Sequence, residues 1–338
     1  MRMKRTVQTA ICLLYFLTIL AGCSENRLDV DVSGIDVEVN IERLDESWKA
    51  MTPVSFRSKH PVYIQQYGPL YQHYIEDVLQ MGSVDDSNLF ASIRSFVTHP
   101  DFSEVFQEVE AVYPNLDDVS YETEQAWKHY IYYFPNAQVP QFFSCVGGFN
   151  TPFILTEDGV GICLELFLGS KCKFYDYLQW PVYQRNRMTP QHLVPWMMKG
   201  WLETEFMTEA DQTTLLQDII EQGKVLYCLD ALLPNVEDSI KIGYSATEML
   251  WAHEHERMVW AHFVDNELLF NTNPALKGKF TNDGPFTVDL VKESPSRMGH
   301  FIGWQMVRAY MDKLDQVDLQ ALMQTDAQLI LNKSNYKP

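Results

Sequence analysis

The sequence predicts an α+β fold, mostly helical, with one small and largely antiparallel sheet. Three features carry that expectation. Helical apolar spacing recurs on both sides of a short strand-like segment between Val139 and Gly169. Pro100, Pro114 and Pro135 punctuate the first helical region. No polar linker is long enough to separate independent domains, so residues 30–338 are expected to form one globular unit.

The chain opens with a basic stretch (Arg2, Lys4, Arg5) and an apolar run from Ala10 to Leu20, too short to span a bilayer. Leu20-Ala21-Gly22-Cys23 follows and resembles the bacterial lipobox. It implies a signal peptide over 1–22, lipidation of Cys23 with an added N-acyl chain such as palmitate, and a tether over 23–29. Two or more acyl chains would hold the protein on a membrane almost permanently. Removing the leader takes away three cations, making the chain three units more negative than its formal −19. With a pI near 4.8, a nucleic-acid partner is not expected. An anionic leaflet would repel such a body, which is therefore expected to stand off from the bilayer.

Val30, Val32, Val37, Val39 and Ile41 alternate with polar residues and predict an edge strand or hairpin. A loop is expected around Pro53 to Pro61, then helices at Tyr63–Leu79, Ser87–Val97, Phe102–Tyr113 and Tyr121–Tyr133. Gln141–Val146, Phe153–Thr156 and a run through Ile162, Leu164 and Leu166 form the sheet, with Asp158-Gly159 as a hairpin signal. Glu165, in the third strand, is placed toward solvent. Later helices are expected at Gln191–Phe206, Ala210–Leu232 and His300–Leu314.

The longest helical pattern runs from Ser245 to Val264. Ser245 and Glu248 form a capping box, and Trp251, Met258, Val259 and Phe263 mark an apolar face. His253 and His255 invite a metal reading that geometry refuses. A second ligand one turn on would fall at Arg257 or Val259, and His262 lies two turns from His255, roughly 10 Å away. No metal, cofactor or catalytic residue is assigned. Cys145, Cys163, Cys172 and Cys228 show no C-x-x-C spacing; buried thiols are expected, and no disulfide pairing is selected.

Several pieces of the C-terminal half together resemble the gliding-motility lipoprotein GldB family of the Bacteroidota. They are Gly223-Lys224-Val225-Leu226-Tyr227, Lys241-Ile242-Gly243-Tyr244-Ser245, Trp251 with Glu256, and Pro285-Phe286-Thr287. Arg297, Gly299 and Ile302-Gly303-Trp304-Gln305 follow, and the chain ends Ser334-Asn335-Tyr336-Lys337-Pro338. The resemblance implies an outer-membrane lipoprotein serving as a non-enzymatic assembly or interaction component of a motility or secretion machine, with envelope proteins as partners. It supplies no catalytic residue. Glu165, Lys224, Glu256, Arg297 and Trp304 are the candidate pocket or interaction residues. Arg297 is expected to pair with Glu256, and Trp304 to pack against the helix bearing Trp251 and Trp260.

A remoter similarity is to predicted zinc-dependent proteases of the H-E-x-x-H type. It implies a zincin-like core that has lost its metal, because Trp196-Met197-Met198-Lys199-Gly200 holds no histidine pair. The alternative function is accordingly a degenerate or cryptic peptidase-like hydrolase.

Overall fold

The computed structural model describes residues 26–207 and 212–338. The predicted leader and Cys23 lie outside the described residues. The body is mostly helical and contains a four-stranded sheet of β1 (Ile41–Arg43), β2 (Gln141–Cys145), β3 (Phe153–Thr156) and β4 (Gly159–Cys163), in the order β1-β2-β4-β3.

The sheet is mixed, which corrects the expectation of a largely antiparallel one. Only β3 and β4 are antiparallel, joined by a turn at Glu157-Asp158, one residue earlier than the Asp158-Gly159 signal places it. β2 pairs in parallel with β4, with Cys145 opposite Cys163, and β1 pairs in parallel with β2. The reason is the path of the chain. Beyond β2 the chain turns at Gly148 and Phe149, both with positive φ, and crosses to the far edge before the hairpin brings it back beside β2. A strand returning that way must run in the same direction as β2. β1 and β2 can be parallel because a long helical crossover separates them.

That crossover comprises α1 (Leu44–Lys49), α2 (Pro53–His73), a π-helical turn (Tyr74–Val78), α3 (Leu89–Thr98), α4 (Pro100–Val112) and α5 (Asp117–Tyr133). The loop expected at Pro53–Pro61 is instead the start of α2. Thr52 and Ser55 form a reciprocal capping box, and Pro53 takes the first helical position, where its missing N–H is not needed. The helix kinks at Gly68 (φ 42°), just before Pro69. The valine alternation over residues 30–40 forms no strand, yet Val32, Val37 and Val39 are buried; side-chain alternation is kept without a ladder.

The sheet is covered on both faces. Tyr67 and Tyr74 meet Phe143 at ring distances of 5.2 and 5.7 Å. Phe142, next in sequence and so on the opposite face, meets Trp127 of α5 at 6.3 Å. Beyond β4 come α6 (Lys173–Tyr177), α7 (Val182–Arg185), α8 (Leu193–Phe206) and α9 (Leu215–Leu232). Thr214 and Gln217 cap α9 reciprocally, so this helix starts later than the expected Ala210. Next are α10 (Asp238–Ile242), α11 (Ala246–Glu254), α12 (Glu256–Asp265), α13 (Pro274–Thr281), α14 (Met298–Met311), α15 (Leu319–Gln324) and α16 (Ala327–Ser334).

The single helix expected over 245–264 is broken at His255, between α11 and α12. The predicted Ser245–Glu248 capping box is present. At the break the His255 ring stacks on Trp251 (4.2 Å) and its Nδ1 sits 2.9 Å from the Trp251 carbonyl, which the His255 N–H also reaches. Val259 and Phe263 are buried as expected, whereas Met258 is exposed.

Buried apolar side chains from Leu28 to Tyr336 form one connected cluster. Its closest approach is between α9 and α14, which run alongside each other in the same direction. A Cβ on Gly223 would lie 2.8 Å from the Trp304 nitrogen and closer still to the Gly303 carbonyl. A Cβ on Gly303 would overlap the Ile219 carbonyl outright, and one on Gly299 would lie 2.9 Å from the Phe280 oxygen. Glycine is required here by space rather than by φ.

Candidate functional site

Asp230 stands in the apolar run Val225–Leu232 of α9 and is 5% exposed. A lone buried carboxylate is costly unless fully partnered. Its Oδ2 accepts from Trp304 Nε1 (2.9 Å) and Arg308 Nε (2.8 Å), and its Oδ1 from Arg308 Nη2 (2.8 Å) and Lys241 Nζ (3.0 Å). Trp304 and Arg308 are one turn apart on α14, so one helix face presents both donors, and the guanidinium lies 3.8 Å from the indole centroid. Arg308 also makes a two-point contact with Asp238 at 2.6 and 2.8 Å. Burial alone would lower the Arg308 pKa, but the bonds to Asp238 and Asp230 outweigh it and raise it. Asp238, though burial works against it, is held below its usual value by the same guanidinium. Two acids and two cations thus cancel, beside an open cleft of about 340 Å³ lined by Arg27, Tyr227, Asp230, Lys241, Arg308 and Asp312, among others.

A second ionic node lies at the start of α14. Arg297, with φ 57°, precedes the helix and donates to the Ile242 carbonyl (3.0 Å). Asp283 accepts from Arg187 at 2.5 Å and lies 3.4 Å from Arg297 Nε. Burial, and then Arg187, lower the Arg297 pKa. His300, on the next turn of α14, is pushed well below its ordinary value by burial and by Arg297 and Lys199, so it is neutral at pH 7.

Glu165 is fully buried in a single 3₁₀ turn after β4, which corrects the expectation that it faces solvent. Its Oε1 accepts from the Gly147 and Phe149 N–H groups at 2.7 and 3.0 Å, while Oε2 has no partner. Burial pushes its pKa up to about 7 against the two backbone bonds that favour ionisation.

The remaining candidates are held elsewhere. Lys224 is 2% exposed and donates to Glu221 (2.7 Å) and the Met323 carbonyl (3.3 Å). Glu256 accepts from the Tyr336 hydroxyl at 2.6 Å rather than from Arg297, so the expected Arg297–Glu256 pair is not formed. On α14 it is Phe301 that meets α11, edge-on to His253 at 5.2 Å, while the Trp304 indole bonds to α9. No two of Glu165, Lys224, Glu256, Arg297 and Trp304 share a hydrogen-bond partner among the described residues. They do not form one pocket. Asp230, Asp238, Lys241 and Arg308 were not singled out as a site from sequence. The available signal was an acid inside an otherwise apolar helix.

The pieces that carried the family resemblance have interlocking duties. Lys241 pairs with Asp230, the Ile242 carbonyl receives Arg297, and Gly243 ends α10 in the left-handed region (φ 75°). The Tyr244 hydroxyl donates to the Ser296 carbonyl (2.6 Å) and Ser245 caps α11. Thr287 Oγ1 accepts the first N–H of α14. Gly223, Gly299 and Gly303 permit the helix contact. Tyr336 ties the C-terminus to Glu256.

A family described as gliding motility protein GldB matches the chain over residues 25–338. The chain belongs to that family. The GldB family is one of gliding-motility lipoproteins, in keeping with an envelope protein held by lipid. No described helix is long and apolar enough to cross a membrane. No curated protein and no solved structure matches the chain. The zincin-like core is not supported. Trp196–Gly200 lies in α8, the sheet is mixed rather than mainly antiparallel, and among the described residues no group of three His, Cys, Asp or Glu could hold a metal ion.

Proposed function

We propose that this chain is a lipid-anchored protein of the outer membrane that acts as a non-enzymatic assembly or interaction component of an envelope motility or secretion machine. The leader over 1–22 and lipid on Cys23 supply the anchor, and residues 30–338 form one body, a reading favoured by the continuous core. The observation that carries the interaction role is the fate of the buried charges. Asp230, Asp238, Lys241 and Arg308 are spent on one another, and Lys224 on Glu221 and a carbonyl. Such groups fix the relative placement of α9, α10 and α14 rather than present an activated nucleophile or base. A rigid body on a lipid anchor suits a protein that docks others.

The test is chemical crosslinking in intact envelopes followed by purification of the tagged protein, with Cys23→Ala in parallel. The expected result is a reproducible set of envelope proteins captured by the wild type. Cys23→Ala should leave the detergent phase and lose them. Retention of Cys23→Ala in the detergent phase would defeat the anchor. Absence of captured envelope proteins, with peptide hydrolysis by the purified wild type, would defeat the interaction role.

A further inference from the structure

We infer that the face built around the C-terminal ends of α9 and α14 lies against zwitterionic phospholipid headgroups; this rests on the lipid-anchor reading above. Arg27 donates to the carbonyls of Met311 (2.9 Å) and Leu314 (3.2 Å), at and just past the end of α14. Helix-end carbonyls lack intrahelical partners and carry partial negative charge, so a cation is well placed there. Leu28 is buried, its N–H is held by the Asn26 side chain, and the Asp29 N–H by the Asn26 carbonyl. The chain is therefore fixed to the body from Asn26 onward.

Cys23 is only four residues before Arg27. Even fully extended, that link spans about 14 Å, little more than one helix diameter. A lipid on Cys23 places the attachment point at headgroup level, so the surface around Arg27 cannot stand off from the bilayer. The expectation from net charge gives way to the length of the link.

The chemistry of this face selects the kind of headgroup. Asp29, Asp31, Glu237, Asp312 and Asp315 are exposed on or beside it. The cations that line its cleft are already used: Arg27 on the helix carbonyls, and Lys241 and Arg308 on Asp230 and Asp238. Lys313 is likewise turned onto the carbonyls of Lys333 and Ser334. The five exposed carboxylates outnumber Arg27 and Lys313, which sit on neutral carbonyls and keep their charge, so the face is net negative: it suits the outward ammonium groups of phosphatidylethanolamine and is repelled by an anionic leaflet. The other end of α9 lies about 27 Å away along its axis. There Leu215 and Leu216 bond to the 268–271 loop, where Phe270 is exposed.

The full-length lipoprotein, reconstituted into phosphatidylethanolamine–phosphatidylcholine vesicles bearing a nitroxide headgroup quencher, tests this. A bimane label is placed on Glu237→Cys or on Phe270→Cys, the native cysteines of the body being buried. The label at 237 should lose most of its fluorescence and the label at 270 should keep nearly all. Inserting a Gly/Ser stretch of about ten residues after Ser24 should restore the signal at 237 by lengthening the reach. Enriching the vesicles in phosphatidylglycerol at low salt should weaken the quenching. Equal quenching at both sites or stronger quenching at 270 overturns the assignment of the face, and no response to the insertion overturns the short link as what holds it there. Stronger quenching on anionic vesicles overturns the choice of headgroup. Failure of the protein to float with the vesicles would instead defeat the lipid anchor itself.

Discussion

Replacing Glu165 with Gln should change how stability depends on pH, in a direction fixed by burial. In the folded protein the carboxyl pKa is pushed from 4.5 to about 7, chiefly by loss of water around it. Between those values the folded state keeps a proton that the unfolded chain has released. Folded protein therefore binds more protons, and stability falls as pH rises through this window. The penalty is absent below the unfolded value and complete above the folded one, where it reaches about 3 kcal/mol. Glutamine keeps an oxygen for the Gly147 and Phe149 N–H groups and never ionises. Its amide nitrogen would occupy the place of Oε2, unpartnered in the wild type, much as the protonated acid does. Glu165→Gln should therefore match the wild type near pH 4.5 and exceed it by about 3 kcal/mol at pH 8. Urea unfolding of both proteins at several pH values measures the difference. A gap that stays constant across this range would show that Glu165 is not protonated in the fold, and the burial argument would fail.

Three further outcomes are expected. Gly303→Ala should lower the melting temperature by about 5 °C or more, because wedging α9 and α14 apart outweighs the ~1 kcal/mol by which alanine favours a helix; calorimetry decides, and an unchanged melting temperature would mean the helices are not in backbone contact. Asp230→Asn should cost about 3–5 kcal/mol, since it removes the negative charge between Lys241 and Arg308 and turns one of the two acceptor oxygens into a donor facing donors; urea unfolding reads this, and a loss below 1 kcal/mol would relocate the node to the surface. Cys145, Cys163, Cys172 and Cys228, all free and buried, with thiol pKa values raised mainly by burial at Cys145, Cys172 and Cys228, should react with a thiol reagent only after unfolding. Fast labelling of the native protein would contradict that burial.

What was legible in the sequence follows the range of the interactions involved. Capping is local, so Ser245–Glu248 could be named in advance, as could, to within one residue, the turn that joins β3 and β4. The pairing of β2 with β4 was not legible. It depends on a left-handed turn at Gly148 and Phe149 and on where the hairpin docks, neither of which is encoded in strand periodicity. Glu165 was misplaced for the same reason: β4 stops at Cys163, and alternation beyond that point no longer assigns a face. His255 carried a break that apolar spacing cannot show, because the competing acceptor is a backbone carbonyl. The Asp230 node left a visible trace, an acid among leucines. Its partners lie 11, 74 and 78 residues away, and helical spacing relates only neighbours on one helix.

The pairing of α9 with α14 has a consequence for the order in which this chain can become native. Asp230 waits for an arginine 78 residues downstream, and Arg27 for carbonyls more than 280 residues downstream. Contacts of such separation must meet the entropy of closing long loops before they contribute anything, which slows folding. The N-terminal residues are therefore locked down only after α14 has formed and docked. A chain interrupted before Met298 would carry in α9 an acid left with Lys241 alone, an exposed glycine seam and an N-terminus with nothing to hold it. Pulse-labelled hydrogen exchange during refolding should accordingly find the amides of Leu28 and Asp29 among the last to gain protection; early protection there would show that the N-terminus docks without its C-terminal partner.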